Sequence, residues 1–484
     1  MDRPFIQLFH TPNSGYFLDV NRNEFIPVTQ LSFQYLREVM SGKRGFDDSA
    51  PEELRDLRTQ GYLSFESAVK EVRHPYSRFL GTFLDRKLAK ITLQLTQSCN
   101  FRCEYCIYSE DHNPRQRSHS NRRMSWAIAK KAVDFLWVHS VDSKSVNVGF
   151  YGGEPLLEFP LIQRVVEYCT DRFSGKKLTF SMTTNGSLLT DEMIRYFQAN
   201  DVSIMISLDG PKEVNDRNRV FPDGRGTYDT VVEHIGRVRE VAPEYADKLR
   251  ISMVMDPAND FDCINSICLE ANTFDKQKVM ASLVDRDYDT AGVEFSEEYA
   301  WKSEYHRFLA VISHFGRFPE GEVSPITGRS VSMALADHSR MEAFAELHPV
   351  DAPSGPCVPG QMRLFVDVNG RLFPCERVSE ISPAMCIGTL DDGFDLTAAD
   401  RLLNVGRLTE SACKQCWCFR YCGMCAKKAD VGARELSAEA KLLSCEKYRN
   451  AAFGKLKQYL LFKEIPAFYA AQTRRSGEER GKVT

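Results

Sequence analysis

The chain has 484 residues, 43% of them hydrophobic and 26% charged, which excludes disorder or coiled coil as its main state. Its length asks for about two to four domains. Against 62 Lys and Arg stand 66 Asp and Glu, a net charge of -4, unlike the basic surplus of a phosphate-driven nucleic-acid binder. No apolar run approaches the ~20 residues of a membrane span. The start, MDRPFIQLFHTPNSGYF, lacks the basic-then-apolar layout of a signal peptide. The expectation is a cytoplasmic protein with neither nucleic acid nor membrane as partner.

In chain order, residues 1–85 contain no Cys. FIQLFHT and GYFLDV read as strands about the turn residues Pro12, Asn13, Ser14 and Gly15, with NEFIPV as a third strand. QLSFQYLREVM and PEELRDLRTQG carry helical spacing. This predicts a small α+β module that docks a partner along an exposed strand edge, with a merely decorative N-terminal extension as the alternative. From Lys87 the pattern becomes six β-α repeats, with strands at KLAKITLQLT, SVNVGFYGG, KLTFSMTTNG, VSIMISLDG, RISMVMDP and QKVMASLVD. Residues 86–290 are therefore expected to form an α/β parallel sheet, open or rolled into a partial barrel. Four of these strands end in TQSCNFRCEYC, YGGEP, TTNG and SLDG, and sites in such folds lie at the carboxyl ends of the strands. WKSEYHRFLAVISHFGRF and SRMEAFAELH predict helices in a linker over 291–356. Residues 357–450 hold a second cysteine field with short strands RLFVDV and RLFP about a turn at Asn369 and Gly370. Residues 451–484 are expected to add a helix and a disordered charged tail, RRSGEERGKVT.

Fifteen cysteines in a long chain without a secretion signal point to thiols or metal ligands in a reducing compartment, not a disulfide framework. Cys99, Cys103 and Cys106 form C-x3-C-x2-C. Three thiolates on one loop can hold three irons of a [4Fe-4S] cube and leave the fourth open, whereas structural zinc wants four closed ligands. Cys169, Cys263 and Cys268 lack ligand spacing and are read as packing residues.

CNFRCEYC, GGEP, TTNG and SLDGP together resemble the radical S-adenosylmethionine (SAM) superfamily, over Leu88 to about Asp285. The resemblance implies a partial (β/α)6 TIM barrel. It further implies SAM chelated by the open iron of the Cys99/Cys103/Cys106 cluster and cleaved to a 5′-deoxyadenosyl radical that abstracts a substrate hydrogen. By position, Tyr105 would lie beside the adenine, and Gly152, Gly153 and Glu154 would hold the SAM amino group. Ser207 with Arg219 would contact ribose and carboxylate, with Thr184 and Asn185 as further candidates. For each glycine and for Thr184, ordinary turn chemistry is the alternative.

The later spacings, C-x12-G-x4-C (Cys357, Gly370, Cys375), C-x2-C-x5-C-x2-C (Cys413, Cys416, Cys422, Cys425) and Cys445, resemble the SPASM extension of peptide-modifying radical SAM enzymes. One residue is missing before Cys425 relative to the usual C-x3-C. The resemblance implies two auxiliary [4Fe-4S] clusters, one on Cys413, Cys416, Cys422 and Cys445 and one on Cys357, Cys375 and Cys425. The fourth ligand of the latter is left open between Cys386, Cys418 and a substrate thiolate. Glu376 stands where related enzymes carry a base, and a structural ion pair with Arg377 or Lys427 is the alternative. PCERVSE and the N-terminal strand pair are similar to maturases of Cys-rich ribosomal peptides. The functional expectation is an oxidoreductase that installs intramolecular thioether links in a precursor peptide bound by the N-terminal module. A flavodoxin- or ferredoxin-type protein would supply electrons. The alternatives are C–C or C–O cross-linking, formylglycine formation in a sulfatase, and a non-catalytic iron–sulfur electron carrier.

Overall fold

The computed structural model describes residues 3–109, 115–270, 278–288, 293–342 and 345–465. The N-terminal module is a three-stranded antiparallel sheet, β1 (Ile6–His10), β2 (Gly15–Asp19) and β3 (Glu24–Val28), in the order β1-β2-β3. Helices Gln30–Ser41 and Glu52–Thr59 follow, as the sequence predicts. Thr29 caps the first helix by accepting a hydrogen bond from the Ser32 amide, and Gly42 ends it with φ 77°. Phe17, Leu36, Val39 and Leu54 bury a small core between sheet and helices. The other sheet face meets the chain's end: Phe9 and Leu18 pack with Leu456, Tyr459 and Leu460 of helix Ala438–Glu464. Phe9 stacks on Phe453 at 4.8 Å between ring centroids. The short strands β4 (Glu71–Val72) and β11 (Val350–Asp351) pair in parallel and tie the module to the chain beyond the barrel.

The six predicted barrel strands are β5 (Lys90–Thr96), β6 (Ser145–Gly152), β7 (Lys177–Thr184), β8 (Val202–Ser207), β9 (Arg250–Met255) and β10 (Val279–Leu283). Each is parallel to its sequence neighbour. Alternation explains the layering. Ile91, Leu93 and Leu95 of β5, with Val146, Val148 and Phe150 of β6, are buried in the large core with helices Trp126–His139 and Phe159–Arg172. The intervening residues, such as Thr92, Gln94, Asn147 and Tyr151, have the other strand parity and belong to the polar inner face.

The sheet does not stop at the barrel. β12 (Leu364–Val366) pairs in parallel with β5 through Leu364↔Ile91, and β13 (Leu372–Phe373) pairs antiparallel with β12. The result is one eight-stranded sheet, β10-β9-β8-β7-β6-β5-β12-β13, crossing from barrel into cysteine field. The turn at Asn369 and Gly370 joins β12 to β13, with Gly370 at φ 84° and its amide donating to the Asp367 carbonyl at 3.0 Å.

Between barrel and cysteine field lie helices Glu297–His314 and Pro325–Glu342. The second starts well before the predicted SRMEAFAELH, because Ser324-Pro325 supplies a helix start where proline's missing N–H costs nothing. The tail RRSGEERGKVT lies outside the described residues. Among those described, no helix is long and apolar enough to cross a membrane.

Candidate iron–sulfur and SAM site

The motif-bearing loops after β5 and β6 are sewn together by main-chain bonds, and the loop after β7 joins them through side chains. Gly153 N–H donates to the Thr96 carbonyl at 2.9 Å, and Glu154 N–H donates to the Ser98 carbonyl at 2.9 Å. The glycines are needed for this approach. A Cβ on Gly153 would sit 2.2 Å from Ser98 O and 2.6 Å from Ser98 C, one residue before Cys99. Gly152, at φ 148°, would place its Cβ 2.4 Å from Thr96 O. The Glu154 carboxylate is buried and accepts from Leu156 N–H at 2.9 Å, Thr184 Oγ1 at 2.6 Å and Asn185 N–H at 2.8 Å. Burial pushes its pKa up despite these donors. Thr184 and Asn185 thus hold Glu154 in place. The Asn185 amide also reaches Asn100 Oδ1 at 2.8 Å and lies 3.9 Å from Cys99 Sγ.

Cys99, Cys103 and Cys106 share this loop; beyond burial, Cys103 and Cys106 both raise the pKa of Cys99, and Cys106 raises that of Cys103. Burial pushes Cys103 up to about 12. Main-chain amides point at two of the sulfurs: Phe101 N–H at Cys99 Sγ and Tyr108 N–H at Cys106 Sγ, both 3.4 Å. Such N–H···S bonds tune the reduction potential of a thiolate-held cluster. Three thiols on one loop, two of them met by main-chain amides, suit a three-thiolate cube.

Arg102 N–H donates to the Val220 carbonyl at 2.7 Å and Glu104 N–H to the Asn218 carbonyl at 2.9 Å, which brings the segment after β8 over the cysteine loop. Arg219 Nη1 donates to Tyr105 Oη at 2.7 Å and lies 3.8 Å from Asp209 Oδ1, while Tyr105 Oη donates to Asp209. Asp209 is buried and also accepts from Val254 N–H at 3.1 Å. Burial raises its pKa more than Arg219 lowers it. Arg219 Nε is buried with no hydrogen-bond partner, a spare donor beside Tyr105 and the cysteine loop. Ser207 ends β8 half-buried, and the partners the fold gives Arg219 are Tyr105 and Asp209. Sequence reasoning passed over Asp209, although it lies inside the quoted SLDG.

The second cysteine field forms two groups. Cys413, Cys416, Cys422 and Cys445 line a single cavity, with Cys418 in its wall. Cys357, Cys375 and Cys425 form the other: Cys425 lies close enough to perturb both Cys357 and Cys375, and Cys375 is pushed up to about 11, chiefly by burial. Cys386 donates to the Gly388 carbonyl at 3.4 Å, and Cys418 belongs to the first cavity. Both groups match the sulfur donor set of iron–sulfur clusters. Glu376 accepts from Arg363 Nη1 at 2.9 Å on one oxygen, and its other oxygen is buried without a partner. Lys427 pairs with Asp285 and Asp287 instead.

Between the two cysteine fields sits a feature that periodicity does not reveal. Arg117 is wholly buried, and its Nε meets Glu380 Oε2 at 3.1 Å. Glu380 also accepts from Gln94 at 2.6 Å and Gln97 at 2.7 Å, on and just beyond β5.

Residues 93–265 match the radical SAM superfamily model, and this part of the chain is a radical SAM domain. Among curated proteins it is 28% identical over 148 residues to a serine-type anaerobic sulfatase-maturating enzyme of Bacteroides thetaiotaomicron, covering 30% of this chain and 35% of that protein. It is 24% identical over 250 residues to the radical SAM cyclopropyl synthase TigE of Paramaledivibacter caminithermalis, covering 48% and 51%. The chain thus spans about half or less of these relatives' length. Native anSMEcpe with bound AdoMet and Kp18Cys peptide superposes with a TM-score of 0.50 at 19% identity, covering 75% of this chain and 99% of that one. That likeness is one of fold.

Proposed function

We propose that this protein is a radical SAM peptide maturase that installs thioether links between a Cys sulfur and a carbon of the same precursor peptide. The observation that carries the reading is the joining of the cysteine-triplet barrel and a nine-cysteine field by one continuous sheet. Cys99, Cys103 and Cys106 would hold the SAM-binding cluster, and the two C-terminal groups would hold the auxiliary ones. When bound, SAM and its cluster supply a carbon radical that takes a hydrogen atom from the substrate.

The chain's own residues do the rest. Gly152 and Gly153 place Glu154 at the mouth of the barrel for an ammonium group. Arg219, steadied by Asp209, offers its free Nε to a carboxylate or hydroxyl. A thioether costs the peptide one S–H and one C–H bond and gains one S–C bond: one hydrogen atom would go to the carbon radical, and one proton and one electron leave separately, the electron to an auxiliary cluster held by the C-terminal cysteines. The unpartnered Glu376 oxygen is an acceptor for the thiol proton. The peptide held by anSMEcpe supports a peptide substrate. The sulfatase-maturating relative makes formylglycine the competing product. The two differ by mass spectrometry of a Cys-rich precursor after reaction with the reduced protein. A thioether shows as loss of two hydrogens and a Cys that no longer alkylates. An aldehyde that traps hydrazine reagents would replace the proposal with the sulfatase reading.

For precursor docking, deletion of residues 1–85 is an unclean test, because Phe9 and Leu18 cover the last helix. Among the described residues β3 is an edge strand of its sheet, and Leu31 on the following helix is 70% exposed. Leu31→Glu is expected to raise the apparent KM for the leader-bearing peptide about tenfold, the worth of one interface anchor. SAM cleavage without peptide should not change. An unaltered KM would place recognition elsewhere.

A further inference from the structure

The cavity of Cys413, Cys416, Cys422 and Cys445 is not electrically neutral ground. Helix Ala438–Glu464 carries Lys441, Cys445 and Arg449 at i, i+4 and i+8, so all three share one face, and all three line the cavity. Lys441 is 3% exposed, an unusual place for an ammonium. Its Nζ lies 3.3 Å from Cys413 Sγ and donates to Thr409 Oγ1, whose oxygen is itself 3.4 Å from Cys413 Sγ. Arg449 lines the same cavity near Cys416 and Cys418. Among the described residues, no Asp or Glu lines the cavity. There no carboxylate answers either cation, and Lys441 is aimed at sulfur.

The other C-terminal group is built the opposite way. Glu376 adjoins Cys375 and raises its pKa, and Lys427 beside Cys425 is neutralised by Asp285 and Asp287.

We propose that Lys441, seconded by Arg449, raises the reduction potential of the iron–sulfur cluster held by Cys413, Cys416, Cys422 and Cys445, making it the more readily reduced of the two C-terminal centres. This rests on the reading that the cavity holds a cluster. When the oxidised cluster gains one electron, its net charge becomes one unit more negative. A fixed cation hydrogen-bonded to a ligand sulfur stabilises that reduced form more than the oxidised one. Lys441 acts through Cys413 and is a positioning residue, not a catalytic one. Its placement gives an electron leaving the peptide a preferred resting place on the side of the molecule where the last helix closes over the cysteines.

The test is a redox titration of the reconstituted full-length protein, followed by electron paramagnetic resonance, for wild type, Lys441→Met and Lys441→Arg. In Lys441→Met, one cluster's reduction equilibrium should shift at least tenfold toward the oxidised form, about 59 mV for one electron. Its iron content should stay at the wild-type level. Lys441→Arg, which keeps the charge, should restore most of the shift. Potentials that do not move, or loss of that cluster's iron from Lys441→Met, overturn the assignment. Cys413→Ala with Cys416→Ala distinguishes this from failure of the underlying reading: if those substitutions remove no iron, no cluster sits in the cavity at all.

Discussion

Gly153→Ala should strip iron from the first cysteine site and lower deoxyadenosine formation by about 100-fold or more, the penalty for displacing reacting groups by about an ångström. The added methyl has nowhere to go. Its nearest neighbours are the Ser98 carbonyl oxygen at 2.2 Å and carbon at 2.6 Å, with Cys99 N at 3.1 Å, all main-chain atoms that no rotamer change can clear. Relief requires the cysteine loop to swing off the end of β6, breaking the bonds from Gly153 N–H and Glu154 N–H to the Thr96 and Ser98 carbonyls. Cys99 moves with Ser98, and the three sulfurs lose their common frame. The C-terminal cysteine groups, anchored on other segments, should keep their iron. Iron counting on the reconstituted variant, together with chromatographic assay of deoxyadenosine, checks both halves. A Gly153→Ala protein with wild-type SAM cleavage would show that the loop position is not set here.

Glu380→Leu is expected to destabilise the protein by about 3–5 kcal/mol, the cost of stranding a buried charge. The charge stranded is Arg117, 0% exposed, with Gln94 and Gln97 losing their acceptor as well. The double variant Arg117→Met with Glu380→Leu should recover most of that loss, because apolar replacements remove both desolvation costs. Thermal unfolding of the anaerobic protein reads the difference. Glu380 also sets a pH slope. Burial raises its carboxyl pKa above the ordinary 4.5, outweighing Arg117. The native state therefore binds this proton more tightly than the unfolded chain does. Its contribution is full below 4.5 and is lost as pH climbs through the raised value. Glu380→Gln should remove that slope. An unchanged slope, or a single variant as stable as wild type, would contradict the buried-pair account.

Much of the architecture is written in local pattern. The six barrel strands carry alternating or continuous apolar runs between helices of 3.6-residue period, and each lies where those runs place it. The site is legible for a related reason: CNFRCEYC, YGGEP and TTNG each end a strand, and parallel strands deliver their ends to one face. What stayed hidden depends on distant partners. RLFVDV announces a strand, but nothing in it says that Leu364 will pair with Ile91. Arg117 and Glu380 look like surface charges until a fold brings residues 263 apart into contact. Asp209 reads as turn chemistry in SLDG, and its buried role emerges only when Tyr105 and Arg219 arrive from two other loops.

The most direct measurement is SAM cleavage by the reduced, anaerobically reconstituted protein beside a variant with Cys99, Cys103 and Cys106 all replaced by Ala. Wild type should release deoxyadenosine and methionine, while the variant keeps its C-terminal iron and releases none. A triple variant that still cleaves SAM, or a wild-type loop that binds zinc and cleaves nothing, would contradict the account.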